Sequence, residues 1–147
     1  MTEVIVRSQQ GLAQSIEVRD HRVTVDEPVE VGGLDLGPNP YELLLGALGA
    51  CTAMTIELYA RRKGWSLDSV VVALRHERMH ARDCAECETS DVFLDRISKA
   101  ITLSGDLSQE QRLRLGEIAE RCPVQRTLQR QVIIDSQVEP NDRVGPP

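Results

Sequence analysis

The sequence is short of aromatic residues: Tyr41, Tyr59, Trp65 and Phe93 are the four among 147 positions. Single-stranded nucleic acid is held by successive aromatic platforms in a cationic groove. Here 17 Lys and Arg stand against 23 Asp and Glu, a formal charge of −6, so the basic footprint is missing as well. Nucleic acid is therefore set aside as a partner. Long apolar runs are also scarce. The longest stretch without charge, Leu43–Ile56, contains Gly46 and Gly49 and falls short of the roughly 18–20 apolar residues of a membrane span. The opening MTEVIVRSQQ lacks a basic segment followed by an apolar one, so no export signal is read there. The expectation is a soluble cytoplasmic protein with no membrane partner, whose four cysteines rest as thiols. A Gly-rich phosphate loop, a G-x-S-x-G elbow and an HExxH pair are all absent, which removes the usual support for nucleotide, serine-hydrolase and zincin readings.

What is present is enough apolar material for one core. With 41% hydrophobic residues, a chain of this length buries about 68–70% of its unfolded surface without staples. A single domain over residues 1–138 and a flexible tail over 139–147 are expected. Val4–Val6, Ser15–Val18 and Val23–Val25 alternate with period two between turn residues, which predicts an antiparallel meander. Glu27–Pro40 concentrates glycine and proline and reads as a loop. From Pro40 to about Lys63 the pattern becomes helical, with Asn39 as N-cap, Pro40 in the first turn and Gly64 as the terminator. This helix is apolar around most of its circumference and is expected to be buried, with close packing at Gly46 and Gly49. Ser69–Arg78 and Arg96–Ser104 read as a long two-stranded ribbon joined by a polar loop. Ser108-x-x-Gln111 is a capping box opening a second helix, which Pro123 ends at about Arg121. Gln131–Val138 is expected to form a closing strand.

Two cysteines stand out by position. Cys51 lies mid-helix, where a buried thiol is commonly a small hydrophobe. Cys122 lies at the break before Pro123. If the two helices pack, both sulfurs reach one region, and a thiol pair able to close a disulfide is the minimal apparatus for reducing a peroxide. Local electrostatics favours Cys122 as the thiolate, because it sits like an N-cap, whereas Cys51 gains little from the dipole and is penalised by burial. Arg126, Arg19 and Arg22 are the candidate cations for Cys51, and His21 could act as its base. A second constellation, His76-x3-His80-x3-Cys84-x2-Cys87, has ligand types suited to tetrahedral zinc. Its alternatives are a structural loop or a redox CxxC, although Asp83, Glu86 and Glu88 would raise those thiol pKa values.

GPNPYELLLGALGACT (Gly37–Thr52), followed at a distance by Cys122-Pro123-Val124, resembles the OsmC/Ohr family of thiol-dependent hydroperoxide reductases. The resemblance runs from the meander to the last strand, and the HARDC-x-x-C segment likens it to the OsmC-like branch. It implies an α+β OsmC-like fold, with curved antiparallel sheets wrapped around long central helices in an intertwined homodimer. It also implies an enzyme in which Cys51 is the peroxidatic thiol and Cys122 the resolving thiol, against the electrostatic ranking. The substrate class it implies is an organic hydroperoxide. No resident cofactor is implied, only an external thiol reductant of dithiol or lipoyl type. Where the family pattern has a glutamate at the start of the Cys helix, this chain has Tyr41, with Glu42 one residue closer to Cys51; the loop Ser8–Gly11 offers no counterpart of the family arginine. Glu42 and Arg126 are accordingly candidates for shaping the pocket. The rival reading is a non-catalytic protein on the same fold that binds a small ligand in the dimer crevice or a metal at His76, His80, Cys84 and Cys87.

Overall fold

The computed structural model describes residues 3–80 and 93–139. Alternating residues at the start of the chain form the predicted meander: β1 (Ile5–Ser8), β2 (Gln14–Val18) and β3 (His21–Val25), antiparallel in that order. Val6, Ile16 and Val23 are aligned across it. The loop that follows is organised by a carboxylate. Asp26 is 2% exposed, and its oxygens accept the backbone N–H groups of Glu27, Leu34 and Leu36 at 2.8, 3.0 and 3.3 Å. Burial opposes ionisation of Asp26, but these three amides outweigh it and lower the pKa.

The loop delivers the chain into α1 (Pro40–Lys63), whose bounds agree with the sequence reading. Asn39 Oδ1 accepts from the Glu42 amide at 2.9 Å, and the Asn39 amide donates to Glu42 Oε2 at 2.8 Å, a reciprocal cap. Gly64 closes the helix in the left-handed region at φ 66°. Next, β4 (Ser66–His80) and β5 (Phe93–Asp106) make an antiparallel ribbon with Ala73 opposite Ala100 and an irregularity between Leu67 and Ser69. The ribbon packs on α1 at Gly49, where a Cβ would lie 2.7 Å from Leu74 Cδ1. Gly46 has no such neighbour.

Ser108 and Gln111 form the predicted capping box at the head of α2 (Gln109–Ala119). α2 ends at Ala119, two residues before the expected stop, and after the turn at Glu120 and Arg121, Pro123 opens α3 (Pro123–Leu128), with Cys122 as its N-cap residue. Proline suits the first helical position because its missing N–H has no intrahelical partner there. Ile56, Ala60, Leu107, Leu115 and Ala119 make the core, surrounded by Tyr59, Trp65, Leu67, Val70, Ile101 and Leu103.

Two expectations are corrected. The α1 helix is not buried all round: Leu48, Gly49, Thr52, Ile56 and Ala60 form one inward row, while Met54 and Leu58 are exposed. By length and composition α1 would suffice to cross a membrane, a test that core helices of soluble proteins also pass. Gln131–Val138 forms no strand. It runs as irregular chain with Ile133 and Ile134 more than 80% exposed, and among the described residues no strand pairs with it.

Candidate functional site

The packing of α3 on α1 brings Cys122 beside Cys51, two free thiols that are 71 residues apart in sequence and act on each other's ionisation. Their exposures differ: Cys51 is half-buried, whereas Cys122 has no accessible surface. Any solvent-borne reagent meets Cys51 first.

Their acidities differ in the opposite sense. Burial pushes the Cys51 thiol up, and the neighbouring Cys122 sulfur pushes it further, against weaker help from the Val124 amide. Burial also works against ionisation of Cys122. It is outweighed by the Cys51 thiol and by the N–H groups of Gln125 and Val124, so the Cys122 pKa falls below its ordinary value. These amides lie outside strict capping-bond geometry, but they are the free N–H groups of the first turn of α3 and point their dipoles toward the sulfur. Thr52 assists only when its single hydroxyl proton turns away from Leu48 O, to which it donates at 2.9 Å. The pair thus favours the thiolate at Cys122 over that at Cys51, in line with the electrostatic ranking from sequence.

No arginine is among the largest influences on either sulfur. Arg126 is exposed in the last turn of α3, tied to Cys122 only through its backbone N–H, which donates to Cys122 O at 3.1 Å. Arg22 and Arg7 are both committed to Glu17, at 2.9 and 3.3 Å. Arg19 occupies the left-handed turn between β2 and β3, and His21 is exposed at the start of β3. Glu42 is occupied by the helix cap, nine residues before Cys51, roughly 13 Å along the axis. Tyr41 stacks on His76 with ring centroids 4.8 Å apart, and His76 Nε2 lies 2.8 Å from Asp95 Oδ1. Of the second constellation, Cys84 and Cys87 lie outside the described residues, as does the His80 side chain. Among the described residues no group of three or more His, Cys, Asp or Glu is arranged to hold a metal.

Residues 32–137 match the protein family described as OsmC-like protein. The chain belongs to the OsmC family. Its fold is also that of solved relatives. An OsmC-like protein from Mycoplasma pneumoniae superposes with a TM-score of 0.70 at 20% identity, covering 88% of this chain and 87% of the other. An organic hydroperoxide resistance protein OsmC from Legionella pneumophila gives 0.61 at 22% identity, with coverages of 86% and 89%. The organic hydroperoxide resistance protein OhrB of Bacillus subtilis gives 0.60 at 19%, with 88% and 90%. No curated protein matches significantly.

In this OsmC-family chain two arrangements escaped the sequence reading. Lys99 of β5 is 11% exposed; its Nζ donates to Gln125 Oε1 and lies 3.5 Å from Glu120 Oε1, while Gln125 Nε2 donates to Glu120 Oε2 at 2.7 Å. This clasp ties the start of α3, and with it the amides facing Cys122, to the ribbon. The second is a cavity of about 670 Å³ lined by Thr55, Arg62 and Lys63 of α1, Arg121 of the turn after α2 and Pro123 of α3. Both arrangements join residues from separate elements, and neither has a local spacing to betray it.

Proposed function

We propose that the protein is a cytoplasmic thiol-dependent peroxidase that reduces organic hydroperoxides in defence against oxidative stress. The observation that carries this reading is the pairing of one accessible and one fully buried free thiol, brought together by α1 and α3 and close enough to shift each other's pKa. The names of the Legionella and Bacillus relatives point to the same substrate class. In the proposed cycle Cys51 passes its proton to the Cys122 sulfur and attacks the distal peroxide oxygen. The O–O bond breaks, Cys51 becomes a sulfenic acid, and the leaving alkoxide takes the proton back from Cys122 to depart as the alcohol. The Cys122 thiolate then attacks the Cys51 sulfur, closing the disulfide and expelling hydroxide, which solvent protonates to water. An external dithiol or lipoyl-type reductant restores both thiols, and no resident cofactor takes part.

The working unit in this reading is a homodimer. The chain exposes 11774 Å², whereas a compact 16.4 kDa monomer exposes roughly 7,500 Å². Part of that excess comes from the extended, exposed segment 131–139, and part from apolar side chains left without a cover. Exposed Val4, Val6, Met54, Ile133 and Ile134 supply apolar surface for the dimer contact. One observation favours the rival, non-catalytic reading: the accessible thiol has a raised pKa and no cation among its largest influences, which works against a fast nucleophile.

Mass spectrometry of fully reduced protein after one equivalent of cumene hydroperoxide separates the two. A loss of two thiols with a Cys51–Cys122 bridge in the peptide map is expected. Survival of all four thiols, or reaction confined to Cys84 and Cys87, would overturn the peroxidase and favour ligand or metal binding.

A further inference from the structure

Three of the cavities along the described residues are partly lined by carboxylates: Asp95 and Glu120 in one, Glu57 and Asp68 in another, Glu110 and Glu117 in a third. The cavity of about 670 Å³ between the C-terminal half of α1 and the turn after α2 has none. Its charged lining is Arg62 and Lys63 from the last turn of α1 and Arg121 from that turn. Among the described residues none of the three makes an ion pair, although acidic side chains outnumber basic ones in the chain by 23 to 17. Cations at helix C-termini ordinarily answer the dipole and cover the last carbonyls. Here backbone groups already reach those carbonyls: Ala60 O and Arg61 O accept from the Trp65 and Gly64 amides at 3.0 and 3.2 Å, and Ile118 O accepts from the Arg121 amide at 2.9 Å. The side-chain charges are left to the cavity they line. Lys63 Nζ lies over the ring of Tyr59, another lining residue, 5.7 Å from its centroid. Tyr59 registers the local field: its hydrogen bond from Arg114 chiefly lowers the phenol pKa, burial opposes, and the charges of Lys63 and Arg121 add to the lowering.

We infer that this cavity binds a small soluble phosphate monoester through Arg62, Lys63 and Arg121, with the apolar part of the ester against Leu58 and Ile118. The volume lies within the range of small-molecule sites. Two arguments favour phosphate over carboxylate. A monoester carries close to two negative charges at neutral pH and offers three acceptor oxygens, enough to engage three cations, whereas the single charge of a carboxylate leaves the cavity positive. Guanidinium groups also present planar forks of N–H that fit phosphate oxygens in pairs, and two of the three cations are arginines. Inorganic phosphate has nothing to lay against the apolar wall, so the ester is the better fit. The inference draws on neither thiol and goes beyond the peroxidase reading.

The test is calorimetric titration of the reduced full-length protein with phenyl phosphate, inorganic phosphate, and two monoanions of similar size, benzoate and methyl phenyl phosphate. Phenyl phosphate is expected to bind roughly tenfold more tightly than either monoanion, and to lose that margin as salt is raised. Because the second proton of a phosphate monoester leaves at about pH 6, its affinity should rise as pH is raised through that value, while that of methyl phenyl phosphate stays level. Arg62→Gln with Arg121→Gln should bring the ratio toward unity. Arg61→Gln with Arg130→Gln removes the same charge outside the cavity and should leave the ratio near its wild-type value. Equal binding of phenyl phosphate and the monoanions, or equal losses in the two double variants, overturns the inference. Binding to phosphatidic acid vesicles without binding to phenyl phosphate overturns the soluble ligand in favour of a lipid headgroup. If no probe binds and the first double variant dissociates a dimer in sedimentation, the cations meet a second copy and the cavity is no ligand site. None of these outcomes involves the thiols, so failure here leaves the peroxidase reading to its own experiment.

Discussion

Replacing Gln125 by leucine keeps the side-chain volume close to native and removes both of its polar links. Lys99 Nζ then loses the amide oxygen that accepts from it, and Glu120 loses a donor at 2.7 Å. Lys99 is 11% exposed and keeps only Glu120 at 3.5 Å, itself 61% exposed and well solvated. A hydrogen bond to a charged group contributes about 1.5–3 kcal/mol, and the residual solvation of Glu120 argues for the lower half of that range. For a chain of this size each kcal/mol moves Tm by roughly 2–4 °C, so a fall of about 3–8 °C is expected. Calorimetry at fixed protein concentration measures it, since dimerisation would make Tm concentration-dependent. Lys99→Met, and a double-mutant cycle between the two, isolates the pairwise energy. Release of α3 should also raise the Cys122 pKa, read as later appearance of thiolate absorbance on titration. A Tm within about 1 °C of wild type, with an additive cycle and an unmoved thiolate titration, would refute the idea that this clasp holds the start of α3.

Cys51→Ser should abolish peroxide consumption, whereas Cys122→Ser should allow one oxidation event and then stop, a difference that a dimedone trap and single-turnover counting resolve. On thiolate titration, Cys122→Ser should lose the low-pH portion of the wild-type absorbance, because Cys122 is the group whose pKa is depressed; an unchanged curve would reverse the assignment. Asp26→Asn should destabilise most at neutral pH. The folded Asp26 pKa lies below its unfolded value, so its contribution is full above the unfolded pKa, fades as pH falls through the folded one, and lets the variant and wild type converge in acid. Ile133→Asp with Ile134→Asp changes side chains that are 81% and 82% exposed in one chain. An isolated chain should tolerate it within about 0.5 kcal/mol, whereas the proposed dimer should dissociate in sedimentation experiments.

Local physics explains how much of this was legible beforehand. Asn39, Pro40 and Gly64 bracket α1 because capping and φ preferences act within a turn, and Ser108 with Gln111 does the same for α2. Cys122 before Pro123 read as an N-cap for the same reason, and α3 begins there. Which row of α1 turns inward was not legible, because the helix is apolar on nearly every side and periodicity alone could not choose a face. Gln131–Val138 has the composition of a strand, but strand formation needs a partner edge, and among the described residues none pairs with it. The Lys99 clasp and the convergence of Arg62, Lys63 and Arg121 are products of tertiary packing. Arg62 and Lys63 were visible only as an ordinary basic helix end, and Arg121 carried no signal at all.

The amides that favour the Cys122 anion have a thermodynamic consequence for recharging the protein. Once a sulfur enters a disulfide it carries no charge, and the N–H groups of Gln125 and Val124 lose the anion they face. Each interaction that makes Cys122 acidic is therefore one the bridged form must forgo, which tilts the couple toward the dithiol and gives the bridge a more oxidising potential. A Cys51–Cys122 bridge would then accept electrons readily from a donor of only modest reducing strength, so the short helix that shapes the thiol pair also sets how easily the protein is returned to its starting state.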